Sequence, residues 1–189
     1  MDGADQFVLA QARTGNRDAF RTLVERHSRA VFRVAYRMTG NEQDAEDVVQ
    51  ETFLRAYNEL ARFEARSSVG TWLHRIAANC SIDLLRRRPR RTVSRHDEDA
   101  APLVEQIASP QPGPERQAAG RELRARIDDA METLTPLERA AFTLRHLEQQ
   151  SIEQISGALG QNATATRHSI FRAVAKIRRA LQPLVRTDA

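Results

Sequence analysis

The sequence predicts an all-α protein: two small helical domains joined by a flexible linker, the second containing a helix-turn-helix. Three observations predict it. Apolar residues recur at spacings of three and four, the period of a helix with one buried face. Capping residues stand where those stretches begin, and strand-like alternation is nearly absent. Between Arg88 and Glu115 the helical pattern lapses, because Pro89, Pro102, Pro110, Pro112 and Pro114 fall there and few large apolar residues lie beyond Leu103, Val104 and Ile107. Such a stretch neither propagates a helix nor buries a core. The expected division is a first domain over residues 1–91, a linker over 92–116 and a second domain over 117–189.

Composition agrees with two modest cores. Of 189 residues 41% are hydrophobic, 5% aromatic and 29% charged, which suits small helical units better than sheets. The formal charge of +4 is spread unevenly: residues 1–85 are nearly balanced, 86–91 hold five arginines, and 92–114 are acidic. Every cation but Lys176 is an arginine, the side chain suited to bidentate contacts with phosphate or guanine. A basic balance fits a polyanionic partner. The single cysteine, Cys80, excludes an internal disulfide, and no Cys/His spacing resembles a structural zinc site. The N-terminus lacks a signal-peptide pattern, and no apolar run approaches the roughly 18 residues of a membrane span. The expectation is a soluble, cytoplasmic protein without a cofactor.

The elements follow in order. Phe20, Leu23, Val24, His27, Val31, Val34, Ala35 and Met38 form a helical stripe, on which His27 reads as structural. Asn41 precedes a first turn rich in Glu42, Asp44, Glu46 and Asp47, which suits the positive end of a helix. In that helix Ala45, Val48, Val49, Thr52, Ala56 and Tyr57 are expected to be buried, while Asp47, Gln50 and Glu51 share one face. Spacing alone makes this a solvated acidic face.

A further helix, from about Val69 to Arg88, places Leu73, Ile76, Ala77, Cys80 and Leu84 on one side and Arg75, Asn79, Ile82 and Arg86 on the other. The second side reads as solvated or as a nucleic-acid face. The arginine run at its end, and Phe63 and Trp72 flanking the polar Glu64–Thr71 loop, favour nucleic acid, since aromatics beside cations can stack unpaired bases. Trp72 alone reads as core.

In the second domain Thr135-Pro136-Leu137-Glu138 is a capping box with proline at the first helical position. Ser151 and Gln154 repeat the box before a short helix to Leu159, with Gly160, Gln161 and Asn162 as the turn. The helix that follows is expected to bury Ile170, Val174, Ile177 and Leu181 and to expose His168, Arg172, Lys176 and Arg179. A short helix, a glycine turn and a longer basic helix make a helix-turn-helix.

DAEDVVQETFLRAY at 44–57, followed by ARFEARSSVGTWLHRIAANCSIDLLRRR at 61–88, resembles the second conserved region of the extracytoplasmic-function sigma factors of bacterial RNA polymerase. The resemblance extends into both domains. It implies that Asp47, Gln50 and Glu51 dock on the clamp coiled coil of the polymerase's largest subunit. It also implies that the helix and loop carrying Phe63, Ser67, Ser68, Thr71, Trp72, Arg75, Asn79 and Arg86 recognise the minus-ten element and hold a flipped base, with Asn79 at a base-contacting position. The second domain is similar to the family's fourth region, which reads the minus-thirty-five element, and this makes Arg167, His168, Phe171 and Arg172 DNA-facing, with Lys176 and Arg179 farther along. Family members commonly have Pro-Val-Gly-Thr-Val where this chain has Asn162-Ala163-Thr164-Ala165-Thr166, so Thr164 is the expected cap, and Ser169 replaces a usual arginine. The implied partners are RNA polymerase core, promoter DNA and an anti-sigma factor. Two other readings stand beside this one: a helix-turn-helix regulator that binds DNA without core polymerase, and a metal-dependent helical enzyme using Asp44, Glu46, Asp47 and Glu51.

Overall fold

A computed structural model describes residues 3–64, 67–87 and 125–185. The expected linker and both expected domain boundaries lie outside these residues. Among them there is no strand. The first half comprises α1 (Gly3–Arg13), α2 (Arg17–Thr39), α3 (Glu42–Glu59), a single 3₁₀ turn at Leu60–Arg62 and α4 (Val69–Arg87). The second comprises α5 (125–132), α6 (Pro136–Phe142) running into a π-turn at Thr143–Leu147, α7 (Ile152–Leu159) and α8 (Ala163–Val185).

The chain turns tightly where capping chemistry allows it. Asn16 Oδ1 accepts the amides of Asp18 and Ala19 at 3.0 and 3.1 Å, opening α2. Gly40 closes that helix at φ +69°, a left-handed conformation that glycine adopts without a Cβ penalty. Asn41 Oδ1 then accepts the Asp44 amide at 2.9 Å, so α3 starts one residue later. The result packs α2 against α3 and α4 around Val31, Val34, Ala35, Met38, Ala45, Val48, Ala56 and Ala77, all essentially inaccessible.

Three stretches differ from expectation. Tyr57 is 45% exposed and lies edge-on to Phe20, while Phe53 takes the buried place. Ile82, expected on the polar side of α4, is buried, because the two halves enclose α4 on more than one side. The buried line of α8 runs through Thr166, Ser169 and Ala173, with Ile170, Val174, Ile177 and Leu181 only partly covered. Small residues on the inner line let α8 approach α6 and α7 closely, so the larger side chains flank the contact.

Candidate nucleic-acid interface

The acidic face of α3 leaves Asp47 and Gln50 exposed. Glu51 beside them is half-buried and bonds Arg55 at 2.6 Å, and Arg55 reaches Asp83 of α4 at 3.4 Å. Its carboxylate therefore also clasps α3 to α4 through the arginine. Among the described residues no group of three or more His, Cys, Asp or Glu side chains is placed to hold a metal ion.

The loop before α4 is organised by the helix it precedes. Ser68 Oγ accepts the Thr71 amide at 3.1 Å and lies 2.9 Å from Thr71 Oγ1, so Ser68 caps α4 and Thr71 belongs to its first turn. Ser67 is half-exposed beside them. Phe63 and Trp72 stack on each other with centroids 4.4 Å apart, and both are buried. In this arrangement their faces are turned to each other and to the core, where apolar burial is largest.

Along α4, Arg75 and Arg86 are exposed. Asn79 is not free. Its Nδ2 donates to the Ala158 carbonyl of α7 at 3.0 Å. That carbonyl lies in the last turn of α7, where helix geometry supplies no partner. The expected base-contacting residue is thus a cap for the first helix of the helix-turn-helix.

The helix-turn-helix itself forms despite the altered turn. Asn162 Oδ1 accepts the Ala165 amide at 2.8 Å, so Asn162, not Thr164, supplies the side-chain cap of α8. Thr166 and Ser156 hydroxyls lie 2.9 Å apart and tie α8 to α7. Gly160 ends α7 at φ +62°. Ser169, at the position where an arginine is usual, is buried against the partner helices.

Beyond this turn Arg167 and His168 are exposed, and Phe171 is 73% exposed. Arg172 and Lys176 lie on the same helix but are held from below by Glu138, at 3.2 and 2.6 Å. Lys176 therefore folds back toward α6 rather than projecting outward. Burial alone would raise the Glu138 carboxyl, yet hydrogen bonds from Lys176 and the Thr135 amide outweigh it and hold the group below its ordinary value. Arg179 is exposed on a shallow face with Phe171, Val174, Ala175, Arg178 and Gln182.

Sequence reasoning missed Glu138 as the anchor of these two cations, although its capping-box spacing was visible. It also missed Arg139. That guanidinium is 6% exposed and donates to the Met131 carbonyl at 2.9 and 2.5 Å and to the Met38 carbonyl of α2 at 2.8 Å. No signal along the chain marks an arginine destined for burial between two helix ends.

The fold and these faces define a two-part helical DNA-binding factor whose second part is a helix-turn-helix. Residues 23–91 match the family described as Sigma-70 region 2, and residues 124–177 match Sigma-70, region 4. The chain is 35% identical to the ECF RNA polymerase sigma factor SigE of Mycolicibacterium smegmatis across 82% of its own length and 59% of that relative's. It is 33% identical to the RNA polymerase sigma-H factor of Pseudomonas aeruginosa across 96% of both chains. The solved structure of CnrH in complex with the cytosolic domain of CnrY matches 98% of this chain and 99% of its own with a TM-score of 0.65 at 28% identity. The chain belongs to the extracytoplasmic-function sigma factors of RNA polymerase. It is a promoter-specificity subunit, which joins RNA polymerase and directs initiation.

Proposed function

We propose that the two halves divide this task by residue. Asp47 and Gln50, with Glu51 beside them, dock the polymerase core. Arg75, Asn79 and Arg86 on α4, with the Ser67–Thr71 loop, meet the opened minus-ten strand, and Phe63 and Trp72 back that loop from within. Arg167, His168, Phe171 and Arg172 read the upstream element from the first turns of α8, with Arg179 placed for phosphate. The domain division at 91 and 117 belongs to the same reading. The protein acts by binding alone, in the cytoplasm where the polymerase works, without covalent chemistry of its own. CnrH has been solved with a bound partner, CnrY; an anti-sigma protein covering the same faces is the corresponding partner here.

The observation that carries the reading is Phe171. It stands 73% exposed among Arg167, His168 and Arg172, and no packing role accounts for a phenylalanine held out of the core between cations. The acidic face of α3 separates this reading from a helix-turn-helix regulator acting alone, which has no use for it.

Transcription by purified core polymerase across a promoter library, with wild type and the Asp47→Ala, Gln50→Ala and Glu51→Ala variants, tests the assignment. Wild type is expected to start transcription at a distinct promoter class, and all three variants are expected to lose core affinity. Asp47→Ala and Gln50→Ala do so without a change in melting temperature, because exposed positions carry little stability, whereas Glu51→Ala also lowers it by removing the Arg55 contact. Unchanged core affinity in all three would sink the docking assignment, and promoter binding that needs no core would favour the lone regulator.

A further inference from the structure

The two halves are joined by more than the chain between them. Ala140, Ala141 and Leu144 from α6 and its π-turn, and Ile155 and Ala158 from α7, belong to the same buried apolar cluster as Leu73, Ile76 and Ala77 of α4. Polar contacts ring this seam. Arg139 reaches the end of α2 through the Met38 carbonyl at 2.8 Å. Asn79 reaches the end of α7 through the Ala158 carbonyl at 3.0 Å.

The third contact has the most specific geometry. The π-turn at Thr143–Leu147 and the left-handed Gln149 (φ +52°) bend the chain sharply after α6. This turn carries Glu148 back across the seam. One of its carboxylate oxygens lies 3.0 Å from Nη1 of Arg37 in α2, the other 3.3 Å from Nδ1 of His74 in α4, and only 9% of the Glu148 side chain is exposed. A carboxylate taken that far out of water is costly unless it is paired, so its two partners determine where the turn sits. Irregular helical turns of this kind need a local cause, and the double engagement of Glu148 supplies one.

We infer that Glu148, bridging Arg37 and His74, is an intramolecular latch that holds the helix-turn-helix half against α4 and so withholds Asn79 from single-stranded DNA until the seam opens. The inference rests on the reading that the Asn79 face of α4 meets DNA. In the closed chain the Asn79 amide is spent on α7, and α7 itself occupies the space beside it. An opened chain frees that amide and uncovers the apolar seam together, so a partner that gains from either surface draws the equilibrium toward the open form.

Glu148 touches neither proposed DNA face nor the docking face, so its substitution isolates the latch. Full-length wild type, Glu148→Ala and Arg37→Ala would be compared by small-angle scattering, circular dichroism and binding to a fluorescein-labelled single-stranded oligonucleotide carrying the minus-ten strand of the strongest library promoter. A compact chain of this length has a radius of gyration of about 16 Å; both variants are expected to exceed wild type by a few ångströms while keeping its helicity. Their oligonucleotide affinity is expected to rise about threefold to tenfold, and Asn79→Ala in the Glu148→Ala background is expected to cancel the gain. Unchanged radius and affinity in both well-folded variants would overturn the latch. Growth in radius with no gain in affinity would keep Glu148 as what closes the seam but overturn the masking of Asn79.

Discussion

The α1–α4 half and the α5–α8 half bury their interiors in different ways. In the first, the inaccessible residues are overwhelmingly apolar and come from every helix, with Asp44, Thr52 and Ser81 as polar exceptions. In the second, the separate apolar cluster is small, built on Met131, Leu134 and Ala173 with Phe142 and Ile177 against it. Ala140, Ala141, Leu144, Ile155 and Ala158 join the cluster of the first half instead, and Glu138, Arg139, Thr143, Gln150, Thr166 and Ser169 are buried in the same half. Apolar burial is non-directional and scales with area, so the first half holds itself together. The second half depends on directional polar contacts and on a shared seam. That difference suits a protein in which one half is a platform and the other is repositioned.

Four substitutions or conditions would break or sharpen the contrast. The largest effect is expected from Met38→Ala, which empties a fully buried site at the centre of the first half; chemical unfolding should record a loss of about 2 to 5 kcal/mol. Because the second half leans on the first, both should melt together, and a second half that persists alone would refute its dependence. Arg139→Leu comes next. It leaves the Met131 and Met38 carbonyls without their guanidinium partner, at a cost of about 2 to 3 kcal/mol. Hydrogen exchange should quicken in α5–α8 more than in α2–α4, and equal quickening in both would argue against the contrast.

Thr135→Ala is expected to cost about 1 kcal/mol by removing the hydroxyl that accepts the Glu138 amide. Glu138 would stay in place through Lys176 and Arg172, so the melting temperature should fall while binding to upstream-element duplex stays unchanged.

The smallest effect concerns pH. Burial lowers the pKa of His74 below its ordinary value, and His27, Arg33 and Arg37 push the same way against the opposing carboxylate of Glu148. A histidine that stays neutral when folded contributes nothing to pH dependence above about pH 6.5, where both states are neutral. Below that value the unfolded or opened chain takes up a proton that the closed chain resists, so stability falls as pH falls. Wild type should therefore lose melting temperature between about pH 7.5 and about pH 5.5, and His74→Gln should lose less. Equal losses would remove His74 from the seam's energetics.

The sequence was sufficient for much of this. Asn41, Thr135, Ser151 and Gly160 lie where helices begin or end because capping acts within one turn and needs no distant partner. The α2 stripe was legible because a strong helical period leaves one face to bury. The α8 stripe was read about one position off, since small residues such as Ala173 can pack more closely than the isoleucines around them. The exposed positions Asp47, Gln50, His168 and Arg172 also followed from helical phase, whereas Arg167 was reached only through the resemblance.

What the chain determined by itself, then, is local: helix limits, caps, the glycine turn and the surface phase of its charged residues, all governed by interactions within about four residues. What only the tertiary structure decided is which groups meet across the seam. Glu148 meets Arg37 across more than a hundred residues, Asn79 meets Ala158, and Phe63 closes on Trp72. Such pairings depend on how buried charges and orphaned helix-end carbonyls are satisfied once the two halves pack, and linear spacing carries no trace of that.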